Sequence, residues 1–258
     1  MHTLPAWPYP ATIAHRGAGK LAPENTLAAF RLGAAHGYRA FEFDVKLSRD
    51  NHCFLLHDDD LARTTNGSGP ADALTLAQLR QLDAGSWHSA EHTGETLPTL
   101  AEIADYTLAN NFSVNIEIKP MPEREADTGC TVALQAQQLW RAASVPPLLS
   151  SFSEVALAAA AQAAPELPRA LLFDHLPPNW LARLGQLGCV ALDANHACLD
   201  ETIIRQAHAA GYRVLCYTVN DPTRAAQLLA WGVDSVITDA VTQIAFCFST
   251  QTESRVNP

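Results

Sequence analysis

Ala40-Phe41-Glu42-Phe43-Asp44-Val45, then Lys46-Leu47-Ser48-Arg49-Asp50-Asn51 and His52, then Cys53-Phe54-Leu55-Leu56: the reading of this stretch decides the fold. Two β-rich runs are separated by the six residues Lys46–Asn51, with His52 at the margin. A parallel crossover needs about a dozen residues or more, so the two runs must form an antiparallel hairpin. Glu42 and Asp44 are two apart on the first run and share one face, while Phe41, Phe43 and Val45 take the other. Carboxylates on a strand this apolar are costly unless they are paired or hold a metal.

Further β-rich runs lie at Thr12–His15, Ser113–Ile118, Pro147–Ser151, Arg169–Phe173, Cys189–Leu192, Arg213–Val219 and Asp234–Ile237. Most are continuously apolar, the mark of parallel strands covered on both faces. Helical patterns fill most of the intervals. Thr75-Leu76-Ala77-Gln78 and Thr99-Leu100-Ala101-Glu102 read as capping boxes. Gly37, Gly188, Gly211 and Gly232 stand where helices end. This alternation is an α/β pattern. With the hairpin strand Cys53–Leu56 assigned to a small insertion of about residues 47–95, eight strands remain. Eight strands alternating with helices fit a (β/α)8 TIM barrel, whose usual length is about 250 residues. Periodicity leaves a doubly wound open sheet as the competing architecture. Residues 1–258 read as a single domain without internal repeats, and the polar tail from Gln251 reads as frayed.

Composition narrows the function. A hydrophobic fraction of 48% and a charged fraction of 17% describe a soluble globular chain. Six scattered cysteines (Cys53, Cys130, Cys189, Cys198, Cys216 and Cys247) form no CxxC pair. That spacing argues against zinc and against a secreted disulfide framework. Met1–Pro10 lacks the regions of a signal peptide, and no apolar run approaches the ~20 residues of a membrane span. A cytoplasmic setting is therefore expected. The net charge of −10 argues against nucleic acid as a partner and against stable membrane association. An acidic protein that takes an anionic substrate must gather positive charge locally, and a divalent cation with Arg16 and Lys119 would do so. Oligomeric state is not legible from one chain.

In a barrel, Glu42 and Asp44 point inward at the C-terminal mouth, where active sites sit. Glu117 and Lys119 repeat the spacing on the next barrel strand. Three converging carboxylates call for a counter-cation, and all-oxygen ligation suits Mg²⁺ or Ca²⁺ rather than zinc. The plainer alternative is a set of ion pairs, Glu117 with Lys119 or Lys46. His15 ends the first strand and His57 ends the hairpin, both at the same rim. Two imidazoles beside a metal are what acid–base work on a phosphate ester needs. His2, His88 and His92 lack such company and read as surface or packing residues. Asp58 either orients His57 or caps the next turn, the cap being the default. Arg16 can grip a phosphate with parallel hydrogen bonds, and Lys119 adds a point charge. Pro23-Glu24-Asn25-Thr26 opens a helix that runs to about His36. Asn25 or Thr26 caps it; for Asn25 the cap is the default role, with a substrate contact in addition. No Walker motif occurs.

Taken together, His15-Arg16-Gly17, Pro23-Glu24-Asn25-Thr26, Glu42-x-Asp44, His57-Asp58, Arg63-Thr64-Thr65 and Glu117-x-Lys119 resemble the glycerophosphodiester phosphodiesterases. The similarity continues through Leu149-Ser150-Ser151-Phe152, Tyr217-Thr218-Val219-Asn220 and Gly232-Val233-Asp234 to Thr238-Asp239, and is greatest to the cytosolic bacterial type. The resemblance implies a barrel with an insertion after the second strand, and hydrolysis of deacylated phospholipids to glycerol 3-phosphate and an alcohol. It implies His15 and His57 as the acid–base pair, Glu42, Asp44 and Glu117 around Mg²⁺ or Ca²⁺, and Arg16 and Lys119 on the phosphate. Phe152 and Tyr217 are implied in the substrate pocket. Two rivals stand beside it: a related barrel phosphodiesterase acting on intact lipid, and a non-catalytic phosphate-ligand binder. The first needs an interfacial surface, for which Pro177-Pro178-Asn179-Trp180 is the candidate loop.

Overall fold

The computed structural model describes residues 4–244. In chain order its strands are β1 (Thr12–His15), β2 (Ala40–Leu47), β3 (Cys53–Leu55), β4 (Ser113–Ile118), β5 (Leu148–Ser151), β6 (Arg169–Phe173), β7 (Ala191–Asn195), β8 (Arg213–Tyr217) and β9 (Ser235–Thr238). The helices are α1 (Leu27–Ala35), α2 (Leu76–Leu79), α3 (Leu100–Ala109), α4 (Glu125–Leu139), α5 (Glu154–Ala163), α6 (Trp180–Gln186), α7 (Glu201–Ala209) and α8 (Pro222–Ala230).

β1 pairs in parallel with both β2 and β9, which closes the ring and removes the open-sheet alternative. Eight parallel strands form the barrel. β3 stands outside it, antiparallel to β2 with Val45 opposite Leu55, as the short connection demands. The insertion has a small core of its own that includes Phe54, Leu61, Leu79 and Leu97.

Strand parity sorts the side chains. Phe41 and Phe43 point outward onto Phe30 of α1, with ring centroids 5.2 and 5.4 Å away. Their neighbours Glu42 and Asp44 therefore face the interior. Register levels the interior residues across strands: His15 pairs with Glu42, and Asp44 with Glu117. Deeper in the barrel, Ile13, Ala40, Leu148, Ala170, Leu215 and Ile237 form an apolar plug. Only the mouth is left for chemistry.

Helix ends follow the local code. Thr75 and Thr99 both complete capping boxes, with Gln78 and Glu102 reaching back to the cap backbone. Thr99→Ala should cost about 1 kcal/mol, read as a lower urea midpoint with an unchanged slope.

Several boundaries differ from the sequence reading, for physical reasons. β2 continues to Leu47 because Lys46, although fully buried, places its ammonium 2.6 Å from Asp59. That contact also removes Lys46 as a partner for Glu117. β7 lies later than Cys189–Leu192, because its polar half, Asp193 to Asn195, interrupts the apolar run. Trp180, the first residue of α6, is buried, so the Pro177–Trp180 loop exposes Pro178 and Asn179 but not its tryptophan. Among the described residues no helix is long and apolar enough to cross a membrane. His2, Cys247 and the tail from Gln251 lie outside the described residues.

Candidate active site

Glu42, Asp44 and Glu117 converge: one ligand atom from each lies within 4.8 Å of the others, and all three side chains are buried. Burial, added to by Asp44 and Glu117, pushes the Glu42 carboxyl well up. Burial and the Asp44 charge push Glu117 up to about 7. For Asp44, burial acts in the same direction, but Arg16, Lys119 and His57 outweigh it and hold the carboxyl well below its usual range. Glu42 Oε1 is buried without a hydrogen-bond partner among the described residues, and Asp44 Oδ1 meets only the Lys119 ammonium, 3.4 Å away. Under-satisfied carboxylate oxygens in an all-oxygen cluster fit a hard divalent cation.

The two cations lie on this cluster. Arg16 Nε is 3.2 Å from Asp44 Oδ2, and its Nη1 donates to Glu24 at 2.8 Å. Lys119 Nζ is 3.0 Å from Glu117 and 3.4 Å from Asp44. The ion pair between Glu117 and Lys119 that the sequence left as an alternative is thus present, inside the acidic cluster. Arg16 sits at φ 50° and Asn25 at φ 59°, left-handed conformations that cost energy for residues with a side chain. The surrounding contacts hold both.

Each imidazole is anchored by one nitrogen. His15 Nδ1 lies 2.6 Å from Asp239 Oδ1, and His57 Nδ1 lies 2.6 Å from Asp58 Oδ1. A carboxylate can only accept, so Nδ1 carries the hydrogen and Nε2 is left as the acceptor nitrogen of the neutral ring. His15 Nε2 is 3.6 Å from Glu42 Oε2. Burial, with Arg16 and Lys119, lowers the His57 pKa despite Asp44. Asp58 therefore orients His57, in place of the capping role expected of it. Arg63 forks between Asp58 and Glu24, with contacts of 2.6 to 2.9 Å.

Both histidines, Arg16, Glu42, Glu117, Lys119, Phe152 and Tyr217 line one cavity of about 180 Å³. Phe152 stacks edge-on to Tyr217 at 5.8 Å and lies 5.9 Å from the Lys119 ammonium. Asn25 is placed differently. Thr26 caps α1, and the Asn25 side chain donates to Asp44 Oδ2 and accepts from the Asp44 N–H. Asn25 thus stands behind a carboxylate, outside the lining of the cavity.

Sequence reasoning missed the supporting partners Glu24, Arg63 and Asp239 as contacts. Each lay inside a motif already quoted, but pairing across 39 or 224 positions carries no local signal. Gly19 belongs with them. Its φ is +57°, and a Cβ there would sit 2.2 Å from the Asp239 carbonyl oxygen. Gly19→Ala should therefore shift Asp239 and with it His15, lowering kcat about 10²-fold, while circular dichroism shows the barrel intact.

Two carboxylate-anchored histidines and clustered carboxylates at the mouth of a closed barrel fit a phosphoric diester hydrolase. The chain belongs to the glycerophosphoryl diester phosphodiesterase family, whose model matches residues 15–243. It is 30% identical over 234 residues to a glycerophosphodiester phosphodiesterase of Caldanaerobacter subterraneus subsp. tengcongensis, covering 88% of this chain and 93% of the relative. A glycerophosphodiester phosphodiesterase of Bacillus subtilis is 30% identical over 243 residues, covering 88% and 83%. Among solved structures, an Oleispira antarctica phosphodiesterase in complex with the product sn-glycerol-3-phosphate superposes with a TM-score of 0.88 at 36% identity. That match covers 93% of this chain and 97% of the other.

Proposed function

We propose that this chain is a single-domain, cytoplasmic enzyme that hydrolyses glycerophosphodiesters to glycerol 3-phosphate and an alcohol. The observation that carries the reading is the meeting of His15, His57, Glu42 and Glu117 around one cavity, with Asp44 in the same acidic cluster, in a member of this family. Its partner is a small molecule; the net charge of −10 speaks against nucleic acid and anionic membranes.

Glu42, Asp44 and Glu117 would hold Mg²⁺ or Ca²⁺, which when bound supplies Lewis-acid polarisation of the phosphodiester oxygens. Arg16 and Lys119, which pair with Asp44 and Glu117, are the cations placed to grip the phosphate. They stabilise charge where it grows in the transition state, usually the largest catalytic contribution. One imidazole Nε2 takes the proton of the attacking oxygen, that of water or of the glycerol hydroxyl next to the phosphate, and the other gives a proton to the departing alcohol. Where the glycerol hydroxyl attacks, water then opens the cyclic phosphate to glycerol 3-phosphate with the two roles exchanged. Asp58 and Asp239 keep both rings aimed throughout.

A coupled assay for glycerol 3-phosphate, run on glycerophosphocholine with added Mg²⁺ or Ca²⁺ and again with EDTA, tests the proposal. Release that EDTA abolishes is the expected result. No release with either metal would turn the reading towards a phosphate-ligand binder.

A further inference from the structure

Arg63 does not line the cavity, yet its guanidinium holds two carboxylates that each serve a residue that does. Its Nε and Nη2 donate to Asp58 at 2.6 and 2.9 Å, and Asp58 is the anchor of His57. Its Nη1 and Nη2 donate to Glu24 at 2.7 and 2.8 Å, and the same Glu24 Oε1 accepts from Arg16 Nη1 at 2.8 Å. A line of contacts thus runs unbroken from His57 through Asp58, Arg63 and Glu24 to Arg16. Cations and carboxylates alternate along it. The backbone beneath Arg63 is fixed by its neighbours. Leu61 is buried in the core of the insertion, and the Thr65 hydroxyl donates to the Leu61 carbonyl at 2.7 Å. That hydroxyl also accepts from the Gly67 N–H at 2.9 Å, which closes the turn.

From that base a planar, forked side chain can engage two carboxylates at once, whereas a lysine ammonium is a single point charge. An isolated ion pair at a surface contributes little to stability, so the fork is better explained by what it orders. Among the described residues nothing besides His57 and Arg63 holds the Asp58 carboxylate. The Arg63 guanidinium keeps Asp58 well below the usual carboxylate range, so the acceptor that fixes the His57 tautomer stays ionised. Burial pushes Glu24 up, but Arg63 and Arg16 outweigh it. Glu24 then takes the outer edge of the Arg16 guanidinium, while Asp44 takes its Nε. With the function proposed above as its footing, we infer that Arg63 is a positioning residue that sets His57 and Arg16 jointly, fixing the acid–base ring relative to the cation that grips phosphate. Such alignment matters because a displacement of about 1 Å can cost ~10²-fold in rate. Arg63 itself touches no reacting atom.

Steady-state kinetics on glycerophosphocholine in saturating Mg²⁺ test this with Arg63→Ala, with Arg63→Lys, and with Arg63→Ala added to Asp58→Asn or to Glu24→Gln. Arg63→Ala should lower kcat about tenfold through His57 and raise KM about tenfold through Arg16. Arg63→Lys should recover at most one of the two effects, since one ammonium serves one carboxylate. Added to Asp58→Asn, Arg63→Ala should lower kcat no further; added to Glu24→Gln, it should raise KM no further. Unchanged kcat and KM in Arg63→Ala, full recovery in Arg63→Lys, or losses that multiply in the doubles would overturn the assignment. Arg63→Gln, closer in size, takes the place of Arg63→Ala should that variant misfold. A second measurement needs no turnover. In ¹⁵N spectra of the imidazoles, with His57 assigned by its loss in His57→Ala, wild type should show the Nδ1–H form and Arg63→Ala a mixture of tautomers. If wild type releases no glycerol 3-phosphate, the functional reading fails separately and this spectrum decides: a mixture supports the coupling to His57, and an unchanged single form refutes it.

Discussion

Alanine in place of His57 is expected to lower kcat on a glycerophosphodiester by ~10²–10⁴-fold, with little effect on the fold. His57 is partly exposed, and its ring contact is with the adjacent Asp58, so its loss opens no cavity in the core. His15→Ala should cause a loss of the same order. There the ring contact spans the chain to Asp239, whose other oxygen keeps a 3.2 Å contact with Asn220. Asp58→Asn and Asp239→Asn should fall between wild type and the alanine variants, because each leaves the imidazole present but frees its tautomer. Steady-state turnover alongside a thermal midpoint separates catalysis from folding. Near-wild-type kcat in either alanine variant would remove that histidine from the reaction.

Glu117→Gln should produce two effects of opposite sign. Turnover should fall about 10²–10³-fold, the usual loss when one group that supports charge in the transition state is removed. Stability without metal should rise at neutral pH. Burial and the Asp44 charge push Glu117 up to about 7 in the folded state, against an ordinary value of 4.5. Between those values the folded chain holds a proton that the unfolded chain has lost. Stability therefore declines as pH climbs from about 4.5 to about 7 and does not recover above it. Urea titrations of chelated protein across that range should show the decline in wild type and a shallower one in Glu117→Gln. Identical slopes would mean that the trio carries no stored repulsion.

Much of this could be read in the sequence because the strands that carry the chemistry keep strict parity. Phe41-Glu42-Phe43-Asp44 announces which face is which, and the six residues after Val45 force a hairpin. From these the barrel, the insertion and the acidic trio follow. Asp193 escaped because an apolar-run criterion stops at Leu192, where β7 turns polar. Asn25 shows the other kind of failure. Composition suggests a cap, but the chain enters a left-handed turn at that residue, so Thr26 takes the cap and the amide turns onto Asp44. Contacts such as Arg63 to Glu24 depend on how two loops fold over one rim, and no local pattern encodes that.

The Arg63 fork also bears on how portable the loops are. A chimera that imported residues 47–95 from another barrel would strand Glu24 without its guanidinium unless the donor segment carried an equivalent arginine. The grafted His57 and Asp58 would then arrive without their brace. Exchange of this segment should succeed only when the loop after the first strand travels with it, making the two a single hereditary module.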